Sequence, residues 1–280
     1  MARVDTHNTA RYWTDRGLPG LSLLRADLTT HQFETHFHDA LVVAVTEAGA
    51  AEIGTHGAWE SADTSTLFVF NPAEPHSGRM GHSQRWQYRS FYLGPEAMEA
   101  LAAGLGTHVP YFPTSAIADP ELIGCFVALH RTLEHSSDEL AGLEQLYSTF
   151  GSLFQRHGSG QRHVDRPPSE RALAARAVEY MHATYETPLK LADIAAVADL
   201  TPFQLITLFK HSFGLTPHAY LTQVRVNAAC QLLRQGRPIA DVAQAVGFCD
   251  QSALNKHFKR SYGITPLQFV AAVGTPAQSD

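Results

Sequence analysis

Asp241-Val-Ala-Gln-Ala-Val-Gly247-Phe248-Cys-Asp250-Gln-Ser-Ala-Leu-Asn-Lys-His-Phe258-Lys259-Arg260 carries the clearest pattern in the chain. It reads as a short apolar helix, a tight turn at Gly247 and a second helix opened by Asp250. Val242, Ala243 and Val246 fall on one side of the first helix, at the i, i+1, i+4 spacing of a buried stripe. Gly247 suits a left-handed backbone, and Asp250 can accept from the free N–H groups that open the next helix. On that second helix Leu254 and Phe258, four apart, turn inward. Gln251, Ser252, Asn255, Lys256 and Lys259 stay outward. A helix that exposes amides, a hydroxyl and lysines, with another helix behind it, has the donor set and shape for a DNA major groove. The spacing predicts a helix-turn-helix unit.

The unit occurs twice. Moved back by 49 residues, the window falls on Thr201-Pro-Phe-Gln-Leu-Ile-Thr-Leu-Phe-Lys-His-Ser-Phe-Gly-Leu-Thr-Pro, which aligns with the chain from Asp250 to Pro266. Leu205 then matches Leu254, Phe209 matches Phe258, Lys210 matches Lys259, and Gly214-Leu-Thr-Pro217 matches Gly263-Ile-Thr-Pro266. The preceding helices agree as well, Ala192-Asp-Ile-Ala195 with Ala240-Asp-Val-Ala243, slipped by one residue. Between the units, His218 to Gln235 carries Tyr220, Leu221, Val224, Ala228, Leu232 and Leu233 on one side and ends at Gly236. It is expected to be a connecting helix that sets the spacing of two readers. Base edges are expected to meet Gln251, Ser252, Asn255 and Lys256 in the second unit, and Gln204 and Thr207 in the first. Lys210, Lys259 and Arg260 are better placed for phosphates. The alternative for each polar residue is a solvated helix face.

These residues resemble the DNA-binding domain of the AraC/XylS family of bacterial transcription regulators. The resemblance covers about 170 to 273 and rests on Ile239-Ala-Asp-Val-Ala243, Gly247-Phe248, Gln251-Ser252, His257-Phe-Lys-Arg260 and Gly263-Ile-Thr-Pro266, in that order and spacing. Thr207 departs from the basic residue common in the family, Ala253 from a larger one, and Lys256 from arginine. A lysine offers a point charge where arginine would offer a two-pronged contact with guanine.

The 280 residues are enough for two domains, each with its own core. The net charge of −6 comes from 21 Lys and Arg against 27 Asp and Glu. Residues 170–280 hold 10 of the basic and 8 of the acidic residues, so the C-terminal part is weakly positive and the rest strongly negative. All the lysines lie in the C-terminal part. Such a balance predicts moderate DNA affinity with strong salt dependence. No run approaches the roughly 18 apolar residues of a membrane span, and Met1-Ala-Arg-Val-Asp is not a secretory signal. Cys125, Cys230 and Cys249 are odd in number and far apart, which gives neither a disulfide framework nor a metal pair. The expectation is a cytoplasmic protein with no cofactor and no membrane contact.

The N-terminal half reads differently. Residues 1–20, with Tyr12 and Trp13, look like an ordered arm. From Leu21 to Leu93 short apolar runs are broken by Gly, Pro, Asn and Asp, with strands expected at 21–28, 31–38, 41–47, 50–54, 66–70 and 85–93. That pattern fits a jelly-roll type barrel. Strand alternation puts His36 and His38 on one side, and His76 follows the Asn71-Pro-Ala-Glu-Pro75 turn. This segment resembles the sensor half of AraC-type regulators, and His-x-His with a later histidine resembles the cupin metal pattern. The glutamate that usually follows is missing, since 40–43 are Ala, Leu, Val and Val. The reading adopted is a pocket for a small organic effector, with His36, His38 and His76 at its edge and no metal required. A three-histidine metal site and plain hydrogen bonding within the barrel are the alternatives. Trp86, Tyr88, Ser90 and Tyr92 share one face of the last strand and are expected to line the pocket. Gln87, Arg89, Phe91 and Leu93 share the other, and alternation leaves open which face is inner. Tyr12 and Trp13 could close over the pocket.

Two helices, 119–135 and 137–157, follow. In the second, Leu140, Leu143, Glu144, Tyr147, Phe150 and Phe154 keep a 3–4 spacing, and a pair packed on the barrel with one stripe left for a second subunit is expected. Residues 158–168 read as a flexible linker.

The fold class is α+β in two domains. Residues 1–158 form a cupin-like antiparallel β-barrel with a helical pair, 159–169 a linker, and 170–273 an all-α domain with two helix-turn-helix units. The implied function is a DNA-binding transcription regulator controlled by a small-molecule effector in the barrel, not an enzyme. Its expected partners are double-stranded DNA, the effector, a second copy as homodimer, and RNA polymerase if it activates. The rivals are a metal-dependent cupin enzyme fused to a DNA-binding domain, and a regulator whose barrel only dimerises.

Overall fold

The computed structural model describes residues 8–15, 17–55, 57–135, 139–159 and 168–274. These fall into two compact units. One holds the described residues up to 159 apart from 33–37, and the other holds 168–274 together with 33–37. The strand within 33–37 takes its hydrogen-bonded place in a sheet of the first unit, and is described there.

The first unit opens with β1 (Asn8–Thr14), β2 (Leu21–Leu28), β3 (Phe33–His36), β4 (Leu41–Gly49), β5 (Ala51–Thr55), β6 (Ala58–Ala62), β7 (Leu67–Phe70), β8 (His76–Met80) and β9 (Trp86–Leu93). Helix α1 (Pro95–Leu105), the short β10 (Ala116–Ile117), α2 (Pro120–His135) and α3 (Glu139–His157) complete it. One sheet runs β1-β2-β9-β4-β7-β10 and the other β3-β8-β5-β6. The long pairings are antiparallel, β2 and β4 flanking β9, with a bulge in β4 between Thr46 and Ala48. The barrel-like pair of sheets expected from the short apolar runs is present.

Several expectations need correction. The arm contains a strand, β1, paired with β2 from Asn8↔Leu28 to Thr14↔Ser22. The strand expected at 31–38 stops at His36. Strands β6, β8 and β10 and helix α1 are additions to the expected elements, because each is short or follows directly on a turn. The linker at 159–169 lies almost wholly outside the described residues. Helix α3 also keeps less free surface than its spacing suggests: Leu146, Phe150, Leu153 and Phe154 are buried, and Leu143 and Tyr147 pack partly buried against the same core. Those six side chains are thus covered, wholly or in part, within the chain. Burial inside one subunit removes those side chains from water without needing a partner.

The larger sheet is buried on both faces. On one, Leu21, Leu23, Val43, Val45, Leu67, Val69, Phe91 and Leu93 meet Phe126, Phe150 and Phe154 of the helices. Arg89 lies on this helix-facing side, and burying its charge requires counter-charge. Its guanidinium pairs with Glu134 of α2, with Glu47 at 2.8 Å, and donates to His130 Nδ1 at 2.8 Å. His130 Nε2 in turn donates to the Leu24 carbonyl at 3.2 Å, so the imidazole is neutral. Burial, reinforced by the Arg89 charge, pushes its pKa down to about 3.

This group gives the unit an acid sensitivity. Between about 3 and the ordinary 6.5 the unfolded chain binds a proton at His130 that the folded chain refuses, so stability rises with pH through that window. The Glu134 carboxyl, raised by burial but lowered more by Arg89, acts in the same sense below the usual carboxylate range. From pH 6.5 to 5 the histidine should remove about 1.6 kcal/mol. In denaturant unfolding of the full chain, His130→Gln should flatten stability against pH over that range; an unchanged slope would place the acid sensitivity elsewhere.

Candidate nucleic-acid interface and ligand-facing surface

The second unit is helical: α4 (Pro168–Thr184), α5 (Leu191–Val197), α6 (Pro202–Phe213), α7 (Pro217–Arg234), α8 (Ile239–Ala245), α9 (Gln251–Tyr262) and α10 (Pro266–Gly274). The pairs α5–α6 and α8–α9 are the two helix-turn-helix units, and α7 is the bridge. Val242, Ala243, Val246, Leu254 and Phe258 are fully buried, as are Leu205 and Phe209, the counterparts of the last two. Asp250 accepts from the Ala253 N–H at 2.7 Å and opens α9.

Gly247 has φ +84°, and a methyl group there would lie 2.7 Å from the Tyr185 carbonyl. The same carbonyl accepts from Arg225 Nε at 2.8 Å, and Thr187 O accepts from its Nη2 at 2.9 Å. Arg225 on α7 thus ties the chain beyond α4 to the turn of the second unit. A buried polar chain orients α9 on α7: Ser261 Oγ donates to Gln223 at 3.0 Å, Gln223 to Asn227 at 3.1 Å, and Tyr262 Oη to Asn227 at 3.3 Å. Neither network is visible in sequence, because the partners that define them lie 35 to 40 residues apart.

The expected DNA-contacting residues divide. Gln251, Ser252 and Lys256 are exposed on α9, with Asn255, Lys259 and Arg260 half-buried beside them. Thr207 and Lys210 are exposed on α6. Gln204 differs. Its side chain accepts from the Thr201 N–H at 2.9 Å while Thr201 Oγ1 accepts from the Gln204 N–H at 3.2 Å, a reciprocal cap. Gln204 therefore holds the start of its helix through Oε1, which leaves its Nε2 hydrogens as donors on an exposed side chain. The signal is present in sequence as Thr followed three residues later by Gln.

In the first unit the inner face of β9 is the aromatic one. Trp86 stacks on Tyr88 at 4.0 Å between ring centres and donates to Thr46 Oγ1 at 3.0 Å. Tyr92 meets Tyr12 at 5.9 Å and the edge of His38 at 5.2 Å. His38 lies 5.3 Å from His76, which stacks on Phe70 at 3.9 Å. The ligand-capable nitrogens of His36, His38 and His76 all lie within 4.8 Å of one another, and all three rings are buried. Tyr12, His36, His38, His76, Trp86 and Tyr88 are all buried; His38 lies beyond the end of β3, so strand alternation does not set its side. Trp13 is a correction: it sits on the opposite side of β1, edge-on to His130 at 5.1 Å. Adjacent residues of one strand cannot share a face. Phe70, missed from the sequence, occupies the alternate position two residues after Phe68 on β7.

The Asn71–Pro75 turn that delivers His76 is held from inside. Glu74 is buried, accepting from the Asn71 backbone at 2.9 Å and from Ser115 Oγ at 2.7 Å. Asn71 in turn donates to the Phe112 carbonyl at 2.9 Å.

Comparison with known proteins bears on both units. A family described as AraC-like ligand binding domain matches residues 18–150, and one described as helix-turn-helix domain matches 194–272. YbfI of Bacillus subtilis, an uncharacterized HTH-type transcriptional regulator, is 29% identical over 225 residues, 79% of this chain and 81% of its own. LumQ of Photobacterium leiognathi, a probable transcriptional regulator, is 30% identical over 49% of this chain and 54% of its own. Among solved structures, an apo ToxT variant of Vibrio cholerae has a TM-score of 0.56 at 12% identity, over 96% of this chain and 98% of that one. Wild-type ToxT with an unsaturated fatty acid bound has a TM-score of 0.54 at 14% identity, over 99% and 100%. At such identities the likeness is one of fold, a β-rich domain followed by a helical one.

The caps and turns predict a split among substitutions. Gly247→Ala should destabilise by upwards of about 1 kcal/mol through backbone strain, and Gln204→Ala by about 1 kcal/mol through the lost cap. Lys256→Ala, on an exposed face, should stay within about 0.5 kcal/mol. Urea unfolding of the three variants separates scaffold from surface.

Proposed function

Because the chain belongs to the AraC family of transcription regulators, with an AraC-like ligand-binding domain ahead of a helix-turn-helix domain, we propose that α9 and α6 read adjacent segments of one DNA groove. In this reading Gln251, Ser252, Asn255 and Lys256 contact base edges from α9 and Thr207 does so from α6. Lys210, Lys259 and Arg260 neutralise phosphates. The observation that carries the proposal is the duplicated unit: two capped second helices, each with a buried inner face, α9 with a polar outer face and α6 with a more apolar one that exposes Gln204, Thr207 and Lys210. Two readers per chain imply an asymmetric site spanning two groove turns.

The proposal extends to a small organic effector held in the β-rich unit, against the face bearing Tyr12, His38, His76, Trp86 and Tyr88 with His36 at its edge. Tyr92 joins this set, and Trp13 does not. Buried aromatic surface with a few convergent polar groups is the usual make-up of a small-molecule site. A homodimer, RNA polymerase as partner where the protein activates, and action in the cytoplasm without catalysis complete the reading. Among the described residues no helix is long and apolar enough to cross a membrane.

On a selected operator, Lys256→Ala and Asn255→Ala should shift base preference at their own positions, each costing about 1–3 kcal/mol against the preferred base. Lys259→Ala should weaken all sequences alike and reduce the salt slope by about one. Fluorescence anisotropy across salt concentrations tests both; an unaltered preference in Lys256→Ala would displace α9 as the reading helix. A thermal-shift screen of the full chain against sugars, amino acids and organic acids tests the effector. A ligand at a hundred times its Kd should add about 2.7 kcal/mol, and Trp86→Ala should abolish the shift.

A further inference from the structure

We propose that His36, His38 and His76 form a binding site for a divalent transition-metal ion. The inference rests on the reading of this unit as the ligand-responsive half of the regulator, and adds a ligand of a different class. Neighbouring strands of the smaller sheet supply two of the histidines: His36 ends β3 and His76 begins β8. His38 follows β3 two residues on. Their ligand atoms converge within 4.8 Å, with each residue no more than 7% exposed.

Convergence alone would not distinguish a metal site from packed histidines; the ring orientation does. His36 Nδ1 lies 2.7 Å from the Glu34 carbonyl and His76 Nδ1 lies 2.9 Å from the Glu74 carbonyl. A carbonyl oxygen only accepts, so in each ring Nδ1 carries a hydrogen, and in the neutral ring Nε2 is the atom left with a lone pair for a metal. This is the outer-shell arrangement that holds metal-ligating imidazoles in one tautomer and raises their basicity. Phe70 stacks almost flat on His76, at 6° between planes, and Tyr92 stands edge-on to His38, so neighbouring rings restrict the tilt of two of the imidazoles. The Glu74 carboxylate accepts from Asn71 Nδ2 and Ser115 Oγ.

The donor set fixes the class of ion. Three neutral imidazoles without a carboxylate suit zinc, nickel, copper or ferrous iron rather than magnesium or calcium. A tetrahedral zinc ion with nitrogens at about 2.1 Å sets them about 3.4 Å apart, a spacing inside the 4.8 Å that encloses the three ligand atoms. Three protein ligands leave a fourth coordination position for water or for an atom of an organic ligand.

The test uses the full chain, purified, stripped with a chelator and dialysed. Isothermal titration with zinc should give one site per chain, and cobalt should give the intense visible bands of tetrahedral coordination. His38→Gln, which keeps the polarity, and His76→Ala should each lose about tenfold or more in zinc affinity and lose the bands, while His82→Ala, outside the cluster, should lose neither. Should His76→Ala unfold before metal is added, His38→Gln and the wild-type cobalt spectrum still decide. Octahedral cobalt bands only, no zinc heat, or zinc binding that survives both substitutions would each overturn the site. An organic effector that shifts the thermal midpoint of stripped protein, with zinc inert, would overturn the metal and leave the regulator reading standing. Zinc binding with no organic hit supports the site.

Discussion

Strand β9 alternates between two buried faces, and the arrangement of the N-terminal unit follows from that constraint. Successive side chains must point to opposite sides of a sheet, so one strand serves two neighbourhoods. Phe91 and Leu93 join the apolar cluster beneath the helices, while Trp86, Tyr88 and Tyr92 face the interior with the histidines. Arg89 falls on the helix side, where its charge has to be answered. Glu134 and Glu47 answer it, and His130 stays neutral beside it. A buried ion pair adds little net stability, yet removing one partner costs about 3–5 kcal/mol. The pairing joins β9 directly to α2 through Arg89 and Glu134.

In the helical unit the corresponding constraint is the turn before α9. The close approach of the Tyr185 carbonyl leaves no room for a side chain at 247, and the left-handed φ there favours glycine. Arg225 satisfies the carbonyls of 185 and 187, which lie beyond the end of α4 where helical partners run out. Burial lowers the Arg225 pKa, as expected for a guanidinium used as an internal tie. Gln223, Asn227, Ser261 and Tyr262 then hold α9 on the bridging helix through hydrogen bonds with little freedom of angle. The polar outer face of α9 is left exposed as a consequence of how its inner face is secured.

In the first helix-turn-helix unit one side chain has two local readings. Gln204 reads in sequence as an exposed amide available to a base, and it does lie exposed on α6. Its Oε1, however, answers the N–H of Thr201, and that role depends on a backbone group three residues away. The side taken by Trp13 follows from the alternation of β1 once the arm is known to be a strand. A free arm and an edge strand have the same short composition, and only pairing with β2 distinguishes them. Helix α3 makes the point for burial: its wide apolar surface is legible in the spacing, but whether one chain or two would cover it is not.

Local pattern was enough for the two helix-turn-helix units, the Gly247 turn and the Asp250 cap, the connecting helix and most strands of the sheets, because these depend on contacts within about a dozen residues and on periodic apolar positions. It also marked His36, His38 and His76 as residues of interest, but could not say whether they met. Tertiary structure decided that they converge, that Arg89 turns to the helices and the aromatic residues to the interior, and that Arg225 secures the Gly247 turn. Each of these joins groups that pairing and packing bring together from distant parts of the chain. Alternation within a strand gives the relative sides of neighbouring residues, while the choice of inner side belongs to whatever covers the sheet.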